Sequence, residues 1–138
     1  MLKVGLMGYG KAGQAVARVL AEDPRYELCW VFRHRACAET TVEGHPHIPV
    51  CSMQSTDLDQ WLNEHPVDAV VDFSNAEAVR WYGEQIKVRQ IMLVTAISSY
   101  SDAQLDDLKT LGKATRVLCS PNITLGINFL LMAAKLLR

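Results

Sequence analysis

Three glycines near the amino terminus have the type and spacing of a dinucleotide-binding loop. Gly8, Gly10 and Gly13 form the pattern G-x-G-x-x-G within residues 3–20, KVGLMGYGKAGQAVARVL. In this pattern the first glycine permits a tight turn, the second lets the backbone approach a diphosphate, and the third lets a helix pack closely on a strand. The amino terminus of the following helix offers unpaired N–H groups and the positive end of its dipole to an anion. A glycine turn with a purely structural role is the alternative.

The residues on either side of the glycines predict the strand and the helix that this loop requires. A short apolar run at residues 4–7 indicates a buried strand. After the glycines, apolar residues recur at helical spacing and predict one buried face of a helix, formed by Ala12, Val16, Val19 and Leu20. The glycines therefore lie in the context that favours dinucleotide binding.

A cluster of basic residues follows the second predicted strand, residues 27–32. Arg33, His34 and Arg35 come about 20 residues after the glycine loop, where an NAD site usually places an acid for the ribose 2′-hydroxyl. Arginine at this place favours the 2′-phosphate of NADP, because its guanidinium binds phosphate through two parallel hydrogen bonds. The sequence therefore predicts NADP (NADPH) as the preferred cofactor, with NAD possible. A solvated charge cluster is the alternative.

Three later apolar runs predict the remaining strands, at residues 67–73, 91–95 and 116–119. Residues 36–55 contain Gly44, Pro46 and Pro49, and are predicted to form a loop with at most a short strand near residues 48–51. Strands alternating with helices predict an α/β fold, a Rossmann-type doubly wound parallel sheet in a single domain. In such sheets ligands bind beyond the carboxyl ends of the strands, which makes Ser74 a candidate cofactor contact.

Capping residues predict where the helices begin and end. Thr56 and Asn75 are candidate caps for two of them, and Ser101 with Gln104 has capping-box spacing before a third, which Gly112 is predicted to stop.

The predicted last helix, residues 124–138, is apolar on nearly every face. A helix that covers one side of a sheet should keep a polar face. We therefore expect this helix to lead toward a second, substrate-binding domain that is absent from these 138 residues, or toward another subunit.

Composition excludes several other classes of function. A net charge of −1 gives no basic surface for nucleic acid. Glycines interrupt the first apolar run, and residues 125–137 are too few to span a bilayer, so we expect a cytoplasmic protein with no membrane partner. The four cysteines form no C-x-x-C pair and are expected to be reduced. His45 and His47 lack companion ligands, so no metal site is expected.

Three motifs resemble the amino-terminal domain of dihydrodipicolinate reductase, also called 4-hydroxy-tetrahydrodipicolinate reductase. The glycine loop at residues 8–13 is one, and residues 71–74 (VDFS) resemble the family's V-D-F-T/S. Residues 120–128 (SPNITLGIN) are similar to its A/S-P-N-F/M-S-x-G-V-N. The glycine pattern, the basic cluster and this resemblance together give the candidate cofactor-binding residues: Gly8, Tyr9, Gly10, Lys11, Ala12, Gly13, Arg33, His34, Arg35, Phe73, Ser74, Thr95, Ala96, Ile97, Ser98, Ser120, Pro121, Asn122 and Ile123.

The resemblance implies a reductase that transfers hydride from NADPH to a cyclic imine or enamine dicarboxylate in lysine and diaminopimelate biosynthesis. In the family the catalytic residues, and the contacts that form oligomers, belong to the carboxyl-terminal domain. No catalytic residue is therefore assigned here, and the full-length protein is expected to be a homo-oligomer.

The sequence departs from the family at two places. Residues 96–99 read AISS where the family usually has G-T-T-G, and Arg33 stands where the family often has an acid. The first departure leaves open a related NADP-dependent dehydrogenase of another amino or imino acid. A non-catalytic nucleotide-binding module is a third alternative.

Overall fold

The computed structural model describes residues 1–120, which form one mixed sheet with four helices. The strands are β1 (Leu2–Met7), β2 (Tyr26–Arg33), β3 (Thr41–Val42), β4 (His45–Ser52), β5 (Ala69–Asp72), β6 (Met92–Thr95) and β7 (Val117–Cys119). The helices are α1 (Lys11–Glu22), α2 (Leu58–Glu64), α3 (Ala78–Arg89) and α4 (Asp102–Leu111).

The strand order, β3-β4-β2-β1-β5-β6-β7, places the first strand at the centre. The chain winds outward from β1 through β2 to β4, then returns to the other side of β1 and continues through β5, β6 and β7. All neighbouring strands are parallel except β3 and β4, which form an antiparallel pair at one edge. The predicted doubly wound parallel sheet is confirmed, and its carboxyl ends meet along one edge.

Alternate side chains of the central strands point to opposite faces of the sheet, where they pack in two separate cores. On one face, Leu6 packs with the buried side chains of α1, among them Val16 and Leu20. On the other, Met7 packs with side chains of the remaining helices, among them Tyr82 and Ile86 of α3. This alternation is the period of two that a strand imposes on its side chains.

Residues 36–55 contain more regular structure than the predicted loop with a short strand near residues 48–51. That strand is part of β4, and most of the segment forms the β3–β4 hairpin. Gly44, with φ of +77°, provides the positive φ that this turn uses. Ile48, Val50 and Ser52 are buried in alternation, and only the last residues of β4 pair with β2. The prolines are tolerated because a residue without an N–H can be accommodated near a sheet edge.

Two predicted helix caps and one predicted core position are wrong. Asp57, not Thr56, caps α2, and its carboxylate accepts the N–H of Gln60 at 3.2 Å. Glu77 occupies the cap position of α3, while Asn75 accepts the N–H of Glu77 in a local turn. Val19 is exposed rather than part of the buried face of α1.

The other two predictions about helix ends are confirmed. Ser101 and Gln104 form the complete capping box of α4, and Gly112 ends that helix.

The predicted last helix and three candidate residues, Pro121, Asn122 and Ile123, lie outside the described residues. Within residues 1–120, no helix is long and apolar enough to cross a membrane. Across the same range, no group of three or more histidine, cysteine, aspartate or glutamate side chains could hold a metal ion.

Candidate functional site

The turn between β1 and α1 is shaped by two glycines that have no room for a side chain. Gly8 has φ of +103°, and a Cβ there would lie 2.7 Å from the carbonyl group of Phe73. A Cβ on Gly13 would overlap the carbonyl oxygen of Gly8. The turn therefore lies directly against both the end of β5 and the first turn of α1.

Gly10 differs from these two glycines because it faces open space. A Cβ at Gly10 would meet no heavy atom within 4 Å. Its φ of −76° is accessible to any residue, so backbone strain does not demand glycine here. The vacant side of Gly10 is a place where a ligand can approach the backbone closely, as a dinucleotide loop requires.

The amino terminus of α1 carries no capping side chain and no acidic residue in its first turn. It begins with the exposed Lys11, so a cation accompanies the positive end of the helix dipole. Uncapped N–H groups beside an open glycine can donate hydrogen bonds to the oxygens of a phosphate. The residues present at this turn fit a bound diphosphate.

A cleft of about 390 Å³ opens beside this turn, at the carboxyl ends of three strands. It brings together Gly8, Tyr9 and Gly10 after β1, Arg33, His34, Arg35 and Ala36 at the end of β2, and Phe73, Ser74 and Asn75 after β5. The strands align because Met7 pairs with both Phe32 and Asp72. Eight of the candidate cofactor residues thus line one cleft, together with Ala36 and Asn75, which are not among the candidate cofactor residues.

Arg33 is held inside a local cluster rather than extended into solvent. Its guanidinium carbon lies 6.0 Å from the centre of the Tyr9 ring. One of its nitrogens donates to the Cys37 sulfur, and the same nitrogen lies 3.3 Å from the Glu39 carboxylate. The Cys37 thiol donates to that carboxylate at 2.9 Å, which raises the pKa of Cys37 and lowers the pKa of Glu39.

Ser74 is oriented by a buried carboxylate beneath the cleft. Both its N–H and its hydroxyl donate to Asp72 Oδ1, at 2.8 and 2.5 Å. Burial raises the pKa of Asp72 above its ordinary value, while the hydrogen bonds from Ser74 and Tyr82 act in the opposite direction. Because the hydroxyl proton of Ser74 points to Asp72, its oxygen faces a ligand as an acceptor.

The candidate residues at the end of β6 do not line this cleft. Thr95 is fully buried, and its hydroxyl pairs with that of Tyr100 at 2.7 Å. Ala96 and Ile97 are buried, Ser98 is exposed, and Ser120 is buried with its N–H bonded to the Thr95 carbonyl. These residues occupy the neighbouring strand ends, where they form a separate part of the candidate site.

The motifs did not reveal two features of the site. The sequence marks Asp72 only as part of the VDFS motif, and Glu39 lies within a stretch for which the sequence predicts mainly a loop. A buried acid inside an apolar strand is the signal that could have identified Asp72, since such a residue needs hydrogen-bonding partners.

A larger cavity, of about 760 Å³, lies away from these strand ends. It is lined by residues that precede or begin strands, among them Leu2, Asp68 and Arg116. Ligands in open α/β sheets bind at the opposite, carboxyl ends, so the size of this cavity does not make it the candidate site.

A central parallel sheet with a glycine turn and an uncapped helix terminus defines a Rossmann-type domain of the nucleotide-binding class. The family model for the amino-terminal part of dihydrodipicolinate reductase matches residues 2–123. This chain therefore belongs to the dihydrodipicolinate reductase family.

A curated relative agrees with this assignment, and two solved structures share the fold. The 4-hydroxy-tetrahydrodipicolinate reductase of Staphylococcus epidermidis is 30% identical over 130 residues, covering 94% of this chain and 47% of the relative. The dipicolinate-bound dihydrodipicolinate reductase from Paenisporosarcina sp. TG-14 superposes with a TM-score of 0.60 at 20% identity, covering 81% of this chain and 43% of that one. GenD2 from gentamicin A biosynthesis, solved with NAD, gives 0.66 at 22% identity over 86% of this chain and 34% of that one.

At these identities the solved structures establish the fold alone. The chain spans about half the length of the curated relatives it matches.

Proposed function

We propose that this chain is the nicotinamide-nucleotide domain of a reductase that acts on a cyclic imine or enamine dicarboxylate in lysine and diaminopimelate biosynthesis. The observation that carries the proposal is the cleft in which the glycine turn, the basic cluster and Ser74 lie together. Membership of the dihydrodipicolinate reductase family supports the substrate class. The cofactor supplies the hydride, and this chain binds and orients it.

Each part of the cleft has a distinct role in this proposal. Gly10 and the first turn of α1 hold the diphosphate, and Arg33 and Arg35 bind the 2′-phosphate that distinguishes NADPH from NADH. Ser74 accepts a hydrogen bond from the bound nucleotide. The strand ends near Ala96 and Ser120 approach the nicotinamide. Among the other candidate residues, Lys11, Ala12, Gly13 and Thr95 support the loop or the strand ends.

The loop after β6 favours one alternative substrate class. Ile97 is buried where the family usually has threonine, so an apolar side chain replaces a hydroxyl beside the proposed nicotinamide site. A related reductase of another amino or imino acid would account for this change. A panel of imino acids tested with the full-length protein separates the two, because only the leading proposal requires oxidation of NADPH with the dihydrodipicolinate precursor.

The whole protein is proposed to be a homo-oligomer, as the family resemblance implies. A cytoplasmic location is also proposed, since nicotinamide-dependent biosynthesis and unpaired thiols suit a reducing compartment. Light scattering of the full-length protein would test the assembly.

Calorimetric titration with NADPH and NADH tests the cofactor site directly. Replacing Arg33 and Arg35 together by alanine should weaken NADPH binding by about 1–3 kcal/mol and leave NADH binding little changed, because only NADPH carries the 2′-phosphate that these side chains bind. Arg18→Ala with Arg116→Ala removes the same charge outside the cleft and should change neither affinity. Failure of the unsubstituted chain to bind either nucleotide would contradict the proposal.

A further inference from the structure

An acidic side chain lies beside the arginine that would bind the 2′-phosphate. Glu39 is six residues after Arg33 in the sequence, yet its carboxylate lies 3.3 Å from the Arg33 guanidinium. Arg33 is the last residue of β2, and Glu39 belongs to the stretch that leads from β2 into the β3–β4 hairpin. A basic cluster in the sequence therefore becomes a mixed-charge cluster in the fold.

Side chains lie against the Arg33 guanidinium on two sides. Tyr9, which is buried, lies against the guanidinium from the direction of the glycine turn. Glu39 and the Cys37 thiol contact it from the direction of the hairpin. Residues of the chain itself consequently position Arg33 at the wall of the cleft.

Cys37 contributes by holding the carboxylate in place. Its thiol donates to Glu39 Oε2 at 2.9 Å and lies within 3.4 Å of the Glu39 carbonyl oxygen. Glu39 is otherwise an exposed side chain, with 66% of its surface accessible, and an unrestrained glutamate at the surface would sample many rotamers. The thiol therefore favours the rotamer that reaches Arg33.

We infer that Glu39 is a specificity-determining residue that competes with the cofactor 2′-phosphate for Arg33 and so reduces the preference for NADPH over NADH. This inference rests on the proposed function. A phosphate that pairs with Arg33 must displace Glu39 or share the guanidinium with it. In either case the net attraction between the phosphate and Arg33 is weaker than it would be without Glu39. NADH carries no 2′-phosphate and incurs no such cost.

Adenosine 2′,5′-bisphosphate and 5′-AMP isolate this effect, because they differ only in the 2′-phosphate. Glu39→Gln should raise the affinity of the 138-residue chain for the bisphosphate by about threefold to tenfold at low salt, and should leave 5′-AMP unchanged. In the Arg33→Ala variant, adding Glu39→Gln should not change the affinity for the bisphosphate, since the arginine through which Glu39 acts is gone.

Glu43→Gln is the matched control. Glu43 is an exposed acid in the turn of the same hairpin, and its contact with the Tyr9 hydroxyl is made by its backbone N–H, which the substitution keeps. It removes one negative charge from the same region without touching Arg33. Equal gains in bisphosphate affinity from Glu43→Gln and Glu39→Gln would show that the effect comes from net charge alone and would overturn the inference.

Two further outcomes distinguish this inference from the proposed function. Unchanged or weaker bisphosphate binding in Glu39→Gln, with normal binding by the unsubstituted chain, overturns the role of Glu39 and leaves the nucleotide site standing. Absence of binding of NADPH, NADH and both adenosine probes by the unsubstituted chain overturns the proposed function and the inference with it.

Discussion

The hydroxyl of Tyr82 donates a hydrogen bond to Asp72 Oδ2 at 2.5 Å, entirely inside the protein. It joins α3 to the end of β5, and the other oxygen of the same carboxylate holds Ser74 at the edge of the cleft. Burial and the neighbouring negative charge of Asp72 raise the pKa of Tyr82, so its hydroxyl keeps its proton. The orientation of Ser74 thus depends on a side chain that never reaches the surface.

Tyr82→Phe should destabilise the chain by about 1–3 kcal/mol at pH 7, because it removes a donor from a buried charged acceptor. Urea denaturation measures the change. Tyr100→Phe is the matched control: its hydroxyl pairs with the uncharged Thr95 hydroxyl, so its loss should cost less. A larger cost for Tyr100→Phe would contradict the assignment of Asp72 as the charged partner.

Asp72→Asn should change how stability depends on pH. Burial places the pKa of Asp72 in the folded chain above its ordinary value of 3.8, so the folded state retains this proton over a range in which the unfolded state has lost it. The stability contributed by Asp72 is therefore greatest below pH 3.8 and declines as pH rises through the pKa of the folded state. Subtracting the unfolding free energies of Asp72→Asn from those of the unsubstituted chain, measured from pH 3 to 7, should reveal this decline. A difference that grows with pH would mean that the hydrogen bonds outweigh burial.

Gly10→Ala and Gly13→Ala should separate binding from folding. Alanine at Gly10 meets open space, so the chain should keep its stability and bind NADPH at least about tenfold more weakly if the diphosphate lies there. Alanine at Gly13 overlaps the Gly8 carbonyl oxygen, which cannot move aside by rotating a side chain, and should destabilise the chain by about 1–3 kcal/mol.

Thermal unfolding and calorimetric titration of both glycine variants provide the measurement. Full-strength nucleotide binding by Gly10→Ala would place the diphosphate elsewhere.

Substitutions at the amino terminus of α2 test whether Asp57 or Thr56 caps this helix. Asp57→Ala should cost about 1 kcal/mol, because the carboxylate that accepts the Gln60 N–H is lost. Thr56→Ala, one residue earlier, should be close to neutral. Denaturant titrations of the two variants compare them directly, and the reverse order of costs would restore Thr56 as the cap.

The sequence alone was sufficient for the features that depend on neighbours along the chain. The glycine spacing, the apolar runs of the parallel strands and the capping box of α4 could be predicted because each follows from local backbone geometry or from a repeat of hydrophobicity. The family could be identified for the same reason, since its motifs are short continuous stretches. The cofactor-binding roles of all the candidate residues and the choice between NADP and NAD stay predictions.

Only the tertiary structure decided which distant or unpatterned residues meet. Residues 36–55 contain glycine and prolines, and their sequence predicts a loop with at most a short strand near residues 48–51. Pairing of β4 with both β3 and β2 instead makes most of them part of the sheet. That pairing places Glu39 beside Arg33, and the packing of α3 on β5 places Tyr82 on Asp72. Such contacts arise from the long-range pairing and packing of strands and helices, which local spacing along the chain does not specify.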